Sequence, residues 1–129
     1  MKLTLIPSLL IFATASALAA GNPNLSGQWA IHNSIAGNES DQQCKFVQTE
    51  TKLSGTCRNT ETEKEVQIAG SIDGNKVTWK YNSEYNGNAL TLTYTGTIDD
   101  SGKIAGSVNV DPFSVTGDFT AAPSQEAGK

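Results

Sequence analysis

The chain has 129 residues, and its 13 acidic against 9 basic side chains give a formal net charge of −4 at neutral pH. That balance argues against a nucleic-acid partner, because such binding needs a basic surface to displace counterions. With one histidine and two cysteines, no ligand set gathers for a metal, and no cofactor is expected.

In chain order, residues 1–20 read as a cleavable signal peptide. Lys2 supplies a short basic start, Leu3 to Leu18 is mostly apolar, and Ala17-Leu18-Ala19 offers small residues for cleavage after Ala19 or Ala20. Pro7 and several Ser/Thr interrupt the apolar run, which falls short of the roughly 20 residues a spanning helix needs. The mature chain is therefore expected to have no membrane span and to be secreted or periplasmic. In that oxidising setting Cys44 and Cys57 are most simply one disulfide. Residues 21–121 make one domain, and 122–129, small and polar with a proline, a flexible tail.

From Leu25 onward apolar residues recur at period two. Val66, Ile68, Gly70 and Ile72 alternate with polar or small neighbours, as do Val77, Trp79 and Tyr81, then Leu90, Leu92, Tyr94, Gly96 and Ile98. Such alternation marks strands with one buried and one wet face. Eight strands are expected, at about 26–34, 42–49, 52–58, 64–73, 76–85, 88–99, 103–110 and 113–121.

The turns predict registers independently. Gly74-Asn75 pairs Asp73 with Lys76, and Asn86-Gly87 pairs Tyr85 with Asn88. Asp100-Ser101-Gly102 suits a three-residue loop with Gly102 left-handed, and Asp111-Pro112 a tight turn. Ile72 then faces Val77, Trp79 faces Tyr94, Ile98 faces Ile104, and Val108 faces Val115. Placing Cys44 opposite Cys57 sets Phe46 against Gly55 and Gln48 against Leu53. All these registers put apolar residues on one face, where a one-residue slip would reverse a strand. The fold class is therefore all-β: an eight-stranded antiparallel up-and-down meander, closed into a barrel with one disulfide. Glycines recur on the inward face, as in Leu53-Ser-Gly55-Thr and Ile104-Ala-Gly106-Ser. Either they let strands coil to close the barrel, or they leave room for a ligand.

Residues that could carry chemistry are few. His32 points outward with no evident base or acid partner. Asp99-Asp100-Ser101-Gly102 lacks the alternating oxygens of a calcium loop. Glu61, Glu63 and Glu65 read with Lys64 as a solvated rim. No catalytic or metal-binding residue is assigned, and the chain is expected not to be an enzyme. The inward aromatics, Trp29, Phe46, Trp79, Tyr81, Tyr94, Phe113 and Phe119, are core or cavity lining. Among them Trp29, Trp79, Tyr81 and Tyr94 are the candidate ligand-binding residues, because the two tyrosine hydroxyls could orient a ligand. Asn24-Leu-Ser26 and Asn38-Glu-Ser40 match glycosylation sequons.

Gly27-Gln28-Trp29 resembles the G-x-W that opens the first strand of lipocalins and avidins, eight-stranded barrels that hold small ligands. A longer series is similar to a group of small secreted bacterial β-proteins of unknown function. It comprises Gly27-x-Trp29, Phe46-Val-Gln48, Leu53-Ser-Gly55-Thr56, Ile68-Ala-Gly70-Ser71, Gly74-Asn75-Lys76-Val77, Tyr94-Thr-Gly96-Thr97 and Ile104-Ala-Gly106-Ser107. Leu25-Ser26-Gly27-Gln28-Trp29, Gln43-Cys44 and Lys52-Leu53-Ser54-Gly55-Thr56-Cys57 resemble periplasmic inhibitors of bacterial metalloproteases. The leading expectation is a secreted non-enzymatic binding module for a small apolar or amphipathic ligand. The alternatives are a protein-binding or protease-inhibitor module acting through loops or the N-terminus, and a plain envelope or surface structural protein.

Overall fold

The computed structural model of the protein describes residues 23–124; the expected signal peptide and the end of the expected tail lie outside the described residues. Among the described residues eight strands follow one another without a helix: β1 (Gly27–Ile35), β2 (Asn38–Thr49), β3 (Lys52–Asn59), β4 (Glu65–Asp73), β5 (Lys76–Tyr85), β6 (Asn88–Ile98), β7 (Ile104–Asp111) and β8 (Val115–Pro123). Each pairs antiparallel with the next, and β8 returns to β1, closing the barrel. Closure leaves no exposed sheet edge. Outward positions of β5 and β6, such as Lys80, Thr95 and Thr97, are exposed, while their inward neighbours Val77, Trp79 and Tyr94 are fully buried.

The expected registers Ile72–Val77, Trp79–Tyr94, Ile98–Ile104 and Cys44–Cys57 are all present. The cysteines form the disulfide, buried on the inner wall. Asn86 and Gly87 both take positive φ, 52° and 81°, as a two-residue hairpin whose twist matches its strands requires. Asp99 closes the three-residue loop before β7. Its carboxylate accepts from the Ser101 hydroxyl and from the amides of Ser101 and Lys103, which holds its pKa below the ordinary carboxylate value.

Two connections depart from expectation. β2 starts at Asn38 rather than near 42, because Ala36 and Gly37 turn the chain with φ of 52° and 83°. Alanine at the first turn position is no turn signal, so the sequence reads there as loop. At the other departure Val110, not Val108, pairs with Val115, and Val108 faces Gly117. A shift of two keeps every side chain on its face, so alternation cannot distinguish the two registers. The observed one places Val110 as well as Val108 on the buried side. Residues 111–114 then form the connection, and Phe113 stands on the rim, 44% exposed, instead of inside. β8 also ends later, with Ala122 and Pro123 paired to Ala30 and Trp29.

Three of the inward glycines stand opposite rings: Gly55 faces Phe46, Gly70 faces Trp79, and Gly106 faces Phe119. A Cβ on Gly70 would lie 1.9 Å from the carbonyl oxygen of Thr78 and 2.6 Å from the Trp79 Cα. Glycine there lets neighbouring backbones close in under a large side chain.

Candidate functional site

The interior has three levels. At the end where the chain enters and leaves, Leu25 folds beneath the barrel and is 1% exposed. Its amide donates to Gln48 Oε1 at 2.7 Å, and its carbonyl accepts from Trp29 Nε1 at 2.9 Å. Above it lies one aromatic cluster. Trp29 meets Phe46 (5.9 Å between centroids), Phe46 meets Trp79 (5.1 Å), and Trp79 stacks on Tyr94 at 5.1 Å with ring planes 9° apart. Phe119 sets its edge against both Trp79 and Tyr94. Offset and edge-on contacts of this kind add to the burial energy of the rings.

The middle level is polar. The Tyr94 hydroxyl donates to Asn33 Oδ1 at 2.9 Å, and Asn33 Nδ2 donates to Gln42 Oε1 at 3.3 Å and Ser40 Oγ at 3.4 Å. Gln42 Nε2 in turn donates to the Tyr81 hydroxyl at 3.3 Å. Four strands thus contribute to one connected layer in which Asn33 and Gln42 are buried. Burial, with the neighbouring Tyr81 hydroxyl, pushes the Tyr94 phenol far above its ordinary range. It therefore stays a neutral donor, and every buried amide in the layer has a partner.

The third level is an open mouth. Ile35, Leu90, Leu92, Val110 and Val115 line a cavity of about 330 Å³, and Ser40 brings the polar layer to its edge. The turns at 36–37 and 111–114 and the end of β5 frame it, and two aromatics stand there in contact with water: Tyr85 (60% exposed) and Phe113 (44%). Exposed rings gathered at a concave apolar surface mark an interaction site more often than a scattered exposed leucine does.

The candidate residues named from sequence fall across these levels. Trp29, Trp79 and Tyr94 are 4%, 0% and 0% exposed and form the cluster; Tyr81 is half-buried, stacked on Tyr94 at 6.0 Å. Cys44 and Cys57 hold β2 to β3 on the inner wall. The mouth cavity is lined by none of these six. Sequence reasoning missed its lining, although a signal was present. In an up-and-down meander alternate turns share an end, so Tyr85 and Phe113, each beside such a turn, must meet on the same rim.

The outer wall carries a second cluster. His32 lies opposite Asp41, and its Nδ1 and Nε2 are 2.7 Å from Asp41 Oδ1 and 2.6 Å from Glu39 Oε1. The Ser34 hydroxyl donates to the other Glu39 oxygen at 2.8 Å. The hydrogen bonds to Asp41 and Glu39 raise the imidazole above its ordinary pKa. A charged imidazole between two carboxylates donates from both nitrogens, leaving neither as a base or a metal ligand. The early start of β2 explains why this partnership was not foreseen. No family model matches the chain, and neither a curated protein nor a solved structure matches it.

Proposed function

We propose that the protein is a non-enzymatic binding module that takes a small apolar or amphipathic ligand at the open mouth of its barrel. The observation that carries this reading is the aliphatic cavity between Ile35, Leu90, Leu92, Val110 and Val115, with Tyr85 and Phe113 exposed at its rim. Its volume of about 330 Å³ lies at the small end of the range for ligand pockets. Burying an alkyl chain there would contribute about 0.8 kcal/mol per methylene, and Ser40 offers a hydroxyl at the inner edge. The likeness of Gly27-Gln28-Trp29 to the opening of ligand-holding barrels agrees with this reading. The disulfide is consistent with an oxidising, extracytoplasmic location.

Methyl NMR during titration with decanol tests the proposal. Saturable shifts are expected at Ile35, Leu90, Leu92, Val110 and Val115, while the methyls of Leu53, Ile72 and Val77 at the filled end stay fixed. Absence of saturable shifts at the mouth, or shifts confined to the filled end, would overturn it.

A further inference from the structure

We infer that the ligand is a cationic amphiphile, an apolar chain or ring carrying an ammonium group at its water-facing end; this rests on the mouth being a binding site. The cavity wall contains no charged side chain, so a charge on the ligand must stay at the rim, where water and the turns solvate it. What the turns offer there is one-sided. Residues 35–40, 83–90 and 109–116, which hold the three turns nearest the cavity, contain no lysine or arginine. They contain Glu39, Glu84 and Asp111.

Glu39 is engaged with His32 and Ser34, but among the described residues neither Glu84 nor Asp111 has an ion-pair partner. The fourth connection at this end, between β3 and β4, adds Glu61 and Glu63 against Lys64, with Glu63 3.7 Å from Arg58. At the opposite end Lys52, Lys76 and Lys103 stand among Glu50, Asp73, Asp99 and Asp100, so each of its turns carries both signs. The rim aromatics add to the same preference. Tyr85 and Phe113 present ring surface to solvent, and the face of an aromatic ring attracts a cation and repels an anion. An anionic headgroup would meet these carboxylates, while the lysine beside them, Lys64, shares an outer-wall hollow with Glu84 and does not line the cavity.

The test compares three ligands that share a chain: decyltrimethylammonium, decanol and decyl sulfate, each titrated against the intact protein and followed by the same mouth methyls. The ammonium is expected to bind about five-fold more tightly than the alcohol, and the sulfate more weakly than the alcohol. The spread should narrow at high salt, which screens exposed charges. A variant combining Glu84→Gln and Asp111→Asn should bring the ammonium most of the way down to the alcohol. Equal binding of all three, or tightest binding of the sulfate, overturns the inference and leaves the apolar mouth standing. If none of the three moves the mouth methyls, both readings fall.

Discussion

Where the chain enters the barrel, Leu25, Leu53, Ile72, Val77 and Ile104 are at most 2% exposed and sit beneath or beside five interlocked rings. At the other end the same strands close on Leu90 and Val115, both half-buried, with Tyr85 and Phe113 in water. Inward positions stay apolar on β6, β7 and β8 toward both ends but turn polar toward the mouth on β1, β2 and β5, at Asn33, Ser40, Gln42 and Ser83, so patterning marks the polar layer without saying whether the space beyond it is filled. Side-chain volume does. Rings fill the first end, while aliphatic chains line the space left at the second. The Asn33–Gln42–Tyr81–Tyr94 layer divides the two, and the filled half supports a mouth that need not be packed.

The contrast is sharpest in truncation. Trp79→Ala is expected to cost about 3–5 kcal/mol, since a fully buried ring leaves a cavity its neighbours cannot fill. Urea denaturation would measure it, and a loss below 1 kcal/mol would mean the filled end is not tightly packed. Reducing Cys44–Cys57 comes next, at about 3 kcal/mol for a short loop. A melting temperature unchanged by reductant would show that the pair adds nothing. Tyr94→Phe keeps the ring stack but orphans Asn33 Oδ1, and should cost about 1–2 kcal/mol. Leu90→Ala at the mouth should change stability by no more than about 1 kcal/mol while weakening decanol binding. Equal losses for Trp79→Ala and Leu90→Ala would erase the distinction between the ends.

Much of the barrel was legible because two signals constrained the same quantity. Asn86-Gly87 fixes Tyr85 against Asn88, and alternation then puts Trp79 against Tyr94, as observed. Legibility failed where one signal stood alone. Ala36-Gly37 is a turn whose glycine is its one signal, so the sequence alone places Glu39 and Asp41 in a loop and leaves His32 isolated. Val108 and Val110 both face inward, so nothing in the pattern chose between them, and the choice carried Phe113 from core to rim. The candidate site was least legible. Trp29, Trp79, Tyr81 and Tyr94 were identified correctly as inward-facing, but facing inward does not say at which depth the side chains stop filling space. Depth follows from the stagger of the closed barrel, which brings together residues from all eight strands.

The smallest expected effect lies on the wall beside the mouth and depends on pH. His32 and Glu39 tie β1 to β2 just before the turn whose Ala36 and Asn38 line the cavity. The groups around His32 are Glu39 and Asp41 on β2, Thr120 opposite it on β8 with Asp118 one step along, and Asp99 and Lys103, which line the same outer-wall hollow. Its pKa in the folded chain is raised above 6.5 by Asp41 first and Glu39 second. The stability it contributes is therefore whole below 6.5 and is lost as pH rises through the folded value. Glu39 is held below its ordinary 4.5 by His32 first and Ser34 second, so its contribution is whole above 4.5 and is lost as pH falls through the folded value. Both are complete only between these limits. The difference in melting temperature between wild type and His32→Gln should be largest from pH 4.5 to 6.5 and shrink on either side. Because the cluster is exposed, salt should diminish that difference. An imidazole titration midpoint at or below 6.5 by NMR would show that the two carboxylates do not hold the ring, and that this hairpin wall of the mouth has no electrostatic tie.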